Sequence, residues 1–234
     1  MDIDDERIAY AVNHTEILRP PKQSLATFGN TSIYYYLVTE PAYSELIENV
    51  TETVIREGRV IAEKPRIVTP YYLSRVEGFS TDAKRYFEML LKTQGSHVPG
   101  LFYTYKNEPK ELNIVSDNLL SVVNKLNAEI DKRGDPLTSI IKGQDELWDV
   151  SLIKFIYELT RSSVQSNLLQ MEARGLLDTD ANGVPADARL GIEELFRKVS
   201  RGDEEPRELK AELDRWGLFD EYQDRFFSLF KKGQ

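Results

Sequence analysis

Cysteine is absent from all 234 residues, and histidine occurs only twice, at His14 and His97. The first absence removes disulfides and thiol nucleophiles, and it fits a chain kept in a reducing compartment such as the cytoplasm. The second removes any metal centre built from several imidazoles. His97 follows Gly95-Ser96 and could serve as a general base, although a lone loop histidine is ordinarily just solvated. Long apolar runs are also missing. None approaches the roughly 20 residues that span a bilayer, and the opening MDIDDERIAYAVNH is acidic where a secretion signal is basic. Membrane insertion and secretion by that route are therefore not expected. The glycines are dispersed singly, so no Walker loop, dinucleotide fingerprint or Gly-x-Ser-x-Gly elbow is present. Basic excess is lacking as well. A formal charge of -9 opposes indiscriminate binding to phosphate backbones, whose affinity comes from cation release by Lys and Arg. No internal repeat, low-complexity run or flexible linker interrupts the chain.

What is present is a long uninterrupted stretch, Asp145 to Leu177, free of Pro throughout and of Gly until Gly175. Trp148, Leu152, Phe155, Ile156 and Leu159 recur at three- and four-residue steps, which stacks them on one helix face that must be buried. The series resumes at Val164, Leu168 and Met171, roughly a third of a turn round. A change of buried face, or a break capped by Ser162 or Ser163, is expected there; a continuous or kinked helix across the centre of the fold is favoured.

The N-terminal half mixes both periodicities. Asp4 to His14 reads equally as strand or helix. Thr31 to Thr39, TSIYYYLVT, is dense in β-branched and aromatic residues and reads as a strand. Thr51 to Pro65 reads as a hairpin about Glu57-Gly58, with Arg66 to Thr69 extending the sheet. Leu101 to Ser116 reads as a second hairpin about Asn107 to Lys110. Helices are predicted over Thr81 to Leu91, and from Ser116 or Asp117 to Gly134 with Leu119, Val122, Val123, Leu126 and Ile130 facing inward. After the long stretch come three amphipathic helices, carrying Ile192, Leu195, Phe196 and Val199, then Leu209, Leu213 and Trp216, then Phe219, Tyr222, Phe226 and Phe230. The expected class is α+β: a small antiparallel sheet with helices over residues 1–134, and a helical region over 135–234 built on the long central helix. The boundary at 134–144 is soft, so the halves are expected to pack as one compact unit.

Four features carry functional expectations. Tyr34 and Tyr36 share one strand face, as do Tyr103 and Tyr105; with Arg19 and Lys22 nearby, coincident faces would line an aromatic groove for a planar or anionic ligand. The alternative is half-buried tyrosine packing. Asp178-x-Asp180-x-Asn182-Gly183 resembles the first half of an EF-hand calcium loop, with Asp187 near enough to contribute. Arg189 occupies the place of the bidentate acid, which argues against tight calcium binding, and a solvated turn is the plain alternative. Asn167 to Asp178, NLLQMEARGLLD, resembles the recognition helix and wing entry of winged-helix DNA-binding proteins, but Glu158, Glu172, Asp178 and Asp180 sit around Arg161 and Arg174. Finally, Phe227 lies about 100° from Phe226, off the main aromatic stripe, which suggests an interface in a homodimer. No cofactor is implied. The reading leans away from an enzyme and toward an intracellular binding or assembly protein, the alternative being a ligand binder or enzyme that uses the tyrosine groove.

Overall fold

The computed structural model describes residues 3–45, 51–69, 71–72 and 100–230. Its elements follow in the order α1 (Ile3–Asn13), β1 (Glu16–Arg19), β2 (Thr31–Thr39), a 3-10 turn (Ala42–Glu45), β3 (Thr53–Ala62), β4 (Arg66–Val68), β5 (Gly100–Phe102), β6 (Tyr105–Val115), α2 (Leu119–Arg133), β7 (Thr138–Lys142), α3 (Trp148–Glu172), α4 (Ala186–Arg201), α5 (Pro206–Trp216) and α6 (Phe219–Ser228). The fold is α+β, as predicted. The helix expected over Thr81 to Leu91, and His97, lie outside the described residues. No helix among the described residues is long and apolar enough to cross a membrane.

The chain forms two compact units, each made of two stretches: Met1–Lys64 with Tyr103–Asn167, and Pro65–Phe102 with Leu168–Gln234. The first holds a five-stranded sheet of order β1-β7-β2-β3-β6. Three of its four pairings are antiparallel, and β2 with β7 is parallel. β7, TSIIK, lies beyond residue 134 and was not anticipated as a strand. On one face of the sheet Ile33, Tyr35, Leu37, Val60 and Ile141 pack against Leu152, Phe155 and Leu159 of α3. On the other, Tyr36, Val38, Ile55 and Ile140 pack against Val122, Val123, Leu126 and Ile130 of α2, the residues the periodicity selected. α2 starts at Asn118, whose side chain accepts the Ser121 N–H, and stops at Gly134.

Both predicted hairpins are corrected. β3 runs straight through Glu57-Gly58, paired residue for residue with β2 from Thr39↔Val54 to Thr31↔Ala62. Gly58 is required by packing and not by a turn: the Tyr35 phenol ring lies where a side chain would start. A tyrosine on the neighbouring strand thus dictates a glycine that mimics turn chemistry. β6 likewise runs through Asn107 to Lys110, accepting Pro109 because it is the outer strand of its sheet. Its register shifts opposite Glu57 and Gly58, where Lys110 is the extra residue of a bulge. β4 does not extend this sheet but pairs with β5 in a separate two-stranded one.

α3 is one unbroken helix of 25 residues. Leu152, Phe155, Leu159, Ser163, Asn167 and Met171 are all buried, each four-residue step advancing about 40°, so the buried stripe winds round the helix and Met171 lies about 160° from Phe155, the change of face expected from the sequence. Val164 and Leu168 flank it half-buried. Along that winding stripe two polar residues, Ser163 and Asn167, occupy core positions. Each has partners: Ser163 Oγ donates to Leu159 O at 2.7 Å and accepts Leu25 N–H at 3.1 Å. Asn167 accepts from Thr27 at 3.0 Å and donates to the Tyr103 hydroxyl at 2.9 Å.

In the second unit the last three helices bury the faces that their spacing selects. Val184, Ile192, Phe196, Leu209, Leu213, Trp216 and Phe226 form its core, with Tyr72, Leu195, Val199, Phe219 and Tyr222 packed against them. Glu212 is buried beneath them, accepting from the Tyr72 hydroxyl at 3.0 Å and from Trp216 Nε1 at 3.2 Å.

Gly58→Ala tests the straight β3. Forcing a methyl group against Tyr35 is expected to lower stability by about 1–3 kcal/mol in urea unfolding, the usual cost of overpacking. A glycine in a surface hairpin would be nearly indifferent to space.

Candidate functional site

The residues expected to form a tyrosine groove are not brought together. Tyr36 is buried on the α2 face, its hydroxyl accepting from Arg133 at 2.8 Å, and Tyr34 shares that face with Lys110 5.0 Å above its ring. Tyr103 and Tyr105 pack on the opposite, α3 side, with ring centroids 6.3 Å apart and hydroxyls on Asn167 and Thr160. The sheet itself separates the two pairs. Burial pushes both phenols of the second pair above the ordinary tyrosine value, so they remain neutral hydrogen-bonding groups of the core. Arg19 donates to Asn127 at 2.9 Å and Asp131 at 2.6 Å of α2, and Lys22 lies 4.0 Å from the same Asp131. These two cations dock a helix and do not rim a groove.

The acidic loop is closed by its own chain. Asp180 Oδ1 accepts the N–H groups of Asn182 at 2.8 Å and Val184 at 3.0 Å, while Oδ2 accepts Arg189 Nε at 2.9 Å. Burial raises the Asp180 carboxyl, but these hydrogen bonds prevail and hold it below the ordinary value. Asp187 is buried, its carboxylate accepting the Ile67 N–H at 3.3 Å, and Asp178 and Asn182 are exposed. Among the described residues no three acidic or histidine side chains are grouped to hold a metal. Arg189 therefore does the cation's work in this turn, and also reaches Glu221 at 2.6 Å. The segment likened to a recognition helix is the end of α3, with Asn167 and Met171 buried.

Phe227 is 47% exposed, with edge-to-face contacts to Phe226 and Phe219 at 5.7 and 6.4 Å. Phe230 is 54% exposed beside Phe226.

The structure instead offers a cleft in the first unit that periodicity could not reveal. It measures about 570 Å³ and is lined by α1 (Glu6, Arg7, Tyr10), the turn after β2 (Glu40 to Ala42), and the segment from β7 into α3 (Lys142 to Leu147), with Leu119. This is the carboxyl end of the parallel strands β2 and β7, where open sheets leave a crevice because the chain departs in different directions from neighbouring strands. Asp145 organises the wall. Its carboxylate accepts from Thr39 at 2.8 Å and Ala42 N–H at 3.2 Å, and pairs with Arg56 at 2.7 Å. Arg56 in turn lies 5.6 Å over the Trp148 ring. Burial pushes the Asp145 carboxyl up, and the bonds from Thr39, Arg56 and Ala42 outweigh it, so the group sits below the ordinary carboxylate range.

α1 forms the opposite wall because its end is tied to α3. Thr15 donates to the buried Ser151 at 2.8 Å, and Lys154 Nζ donates to the carbonyls of Val12 and Thr15 at 2.9 and 3.0 Å, placing a cation at the helix C-terminus. Arg7 reaches Glu146 at 3.1 Å. Among the described residues Glu6 and Glu40 make no ion pair, and the Tyr10 ring stands in the cleft, stacked on His14 at 3.8 Å. Among the described residues the lining thus carries four carboxylates against two cations, and Glu6 and Glu40 are exposed.

Asp145, Thr39 and Arg56 were not singled out by the sequence. The available signal was Thr138 to Gly143, a β-branched run ended by glycine, too short and too close to Pro136 to stand out. Compared with protein-family models, curated proteins and solved structures, the chain matches none.

Asp145→Asn is expected to cost about 1–3 kcal/mol at pH 7, since it leaves Arg56 without its partner. The folded carboxyl titrates below the unfolded one, so its contribution is present above about pH 4 and is lost as pH falls through the folded value. Urea unfolding of the two proteins should therefore differ at neutral pH and converge once the pH has fallen below the folded value.

Proposed function

We propose that the chain is a soluble, cytoplasmic, non-enzymatic binding protein whose first unit receives a small organic cation, an amine or guanidinium, in the cleft beside Asp145. The observation that carries this reading is the cleft itself: about 570 Å³ lies within the range of small-molecule sites, and its lining is acidic with an aromatic face at Tyr10. Glu6 and Glu40 supply charge to the ligand head group, and a cation over Tyr10 gains from the ring quadrupole. Among the described lining residues none couples a nucleophile to a base, which favours binding over catalysis.

Calorimetry with a panel of small amines and guanidinium compounds, against carboxylates of similar size, tests the reading. The cations are expected to bind and the carboxylates not to. Glu6→Gln with Glu40→Gln should weaken binding by roughly tenfold or more, about 1.4 kcal/mol. Equal affinity for both charge classes, or none for either, would overturn the proposal.

Self-association is a second reading, favoured by large apolar side chains left in water: Leu112 and Ile114 are 58% and 55% exposed, alongside Phe227 and Phe230. Light scattering should give twice 26.9 kDa for the wild type. A protein that keeps the monomer mass at micromolar concentration would rule it out.

A further inference from the structure

β6 is an outer strand of the five-stranded sheet, and among the described residues nothing pairs with its free side. A long open strand invites pairing with another chain, and natural proteins blunt such edges with proline, lysine and bulges. β6 carries all three devices in its first half only: Lys106, Pro109 and the bulge at Lys110. From Glu111 to Val115 there is no proline, lysine or bulge, and the one charge is Glu111 at its start. That bare half is regularly paired to β3, Leu112 opposite Arg56 and Ile114 opposite Val54, so its geometry is straight and its outer edge is open.

The same half is apolar on one face. Leu112 ends the cross-strand row Leu37↔Arg56↔Leu112, and Ile114 ends the row Thr39↔Val54↔Ile114. Leu37 faces α3, so both exposed side chains stand on the α3 face of the sheet.

We propose that the Glu111–Val115 edge is where two copies of this chain join, β6 against β6 in antiparallel register about a two-fold axis through Asn113. The inference rests on the self-association reading and names its surface. Self-complementarity identifies the occupant. With Asn113 opposite itself, Leu112 meets Ile114 of the second copy and Ile114 meets Leu112, while Glu111 faces Val115. Every exposed apolar group of the segment then finds an apolar partner, and no like charges oppose. The proline and the bulge lie beyond the paired segment, which explains why only that half of the strand is protected.

The absence of cysteine allows a direct test. Asn113→Cys introduces a single thiol that sits opposite its own copy, with Cβ atoms about 4.5–5.5 Å apart, within reach of a short bis-maleimide bridge. Covalent dimer is expected from Asn113→Cys and not from Lys106→Cys. Leu112→Lys with Ile114→Lys should run as a monomer while keeping the wild-type circular-dichroism spectrum, both positions being exposed, and Phe227→Asp should remain dimeric. A monomeric wild type would remove self-association altogether. A dimeric wild type that does not cross-link through residue 113 and survives the double lysine change, or that is dissolved by Phe227→Asp, would overturn this interface alone.

Discussion

The first unit depends on one requirement: the face that α3 presents to the sheet takes polar groups out of water, and each must find a partner there. Ser151, Ser163 and Asn167 are fully buried on that helix. An unsatisfied buried hydroxyl or amide costs on the order of 1–3 kcal/mol, so their partners are not optional. Those partners are Thr15, the Leu25 N–H, Thr27 and Tyr103, which come from the segments around β1 and before β2 and β6. The same bonds that satisfy the helix therefore fix the connecting chain, which has few apolar side chains of its own to anchor it.

The cleft follows from that arrangement. Thr15 and Lys154 hold the end of α1 to the first turns of α3, while Asp145 ties the end of β2 to the entrance of the same helix. One helix start thus carries both walls. Asp145 is held ionised by its hydrogen bonds, and Arg56 behind it is braced by Trp148. The wall is consequently charged and held by its own hydrogen bonds.

The second unit uses charge differently. Arg189 gathers Asp180, Glu221 and Tyr222 into one network, and Arg225 makes two bonds to Glu193. These pairs join α4 to α6 and close the acidic turn, so carboxylates that looked available in the sequence are committed to holding helices together. The like-charge row on the first unit's sheet shows the opposite situation. Glu57 stands directly across from Glu111, and burial together with Glu111 and Glu129 lifts its carboxyl above the usual value.

The sequence by itself determined the elements whose signal is local and periodic. The inward faces of α2, α4 and α5, their glycine stops, the strand at Thr31 to Thr39 and the unbroken run of α3 follow from spacing, because a helix or strand face is set by rotation per residue. Tertiary structure alone decided what depends on a neighbour distant in sequence. Glu57-Gly58 reads as a turn until Tyr35 is seen to need the space, and Asn107 to Lys110 reads as a loop until its strand proves to be an outer one that tolerates Pro109. The tyrosine pairs could be assigned to faces, but whether those faces coincide was fixed by pairing order, which put them on opposite sides of the sheet. Asp145, Arg56 and Thr39 are separated by up to 106 residues and meet only because β7 inserts parallel to β2. A cleft is a relation between chain ends brought together by folding, and no window of consecutive residues contains it.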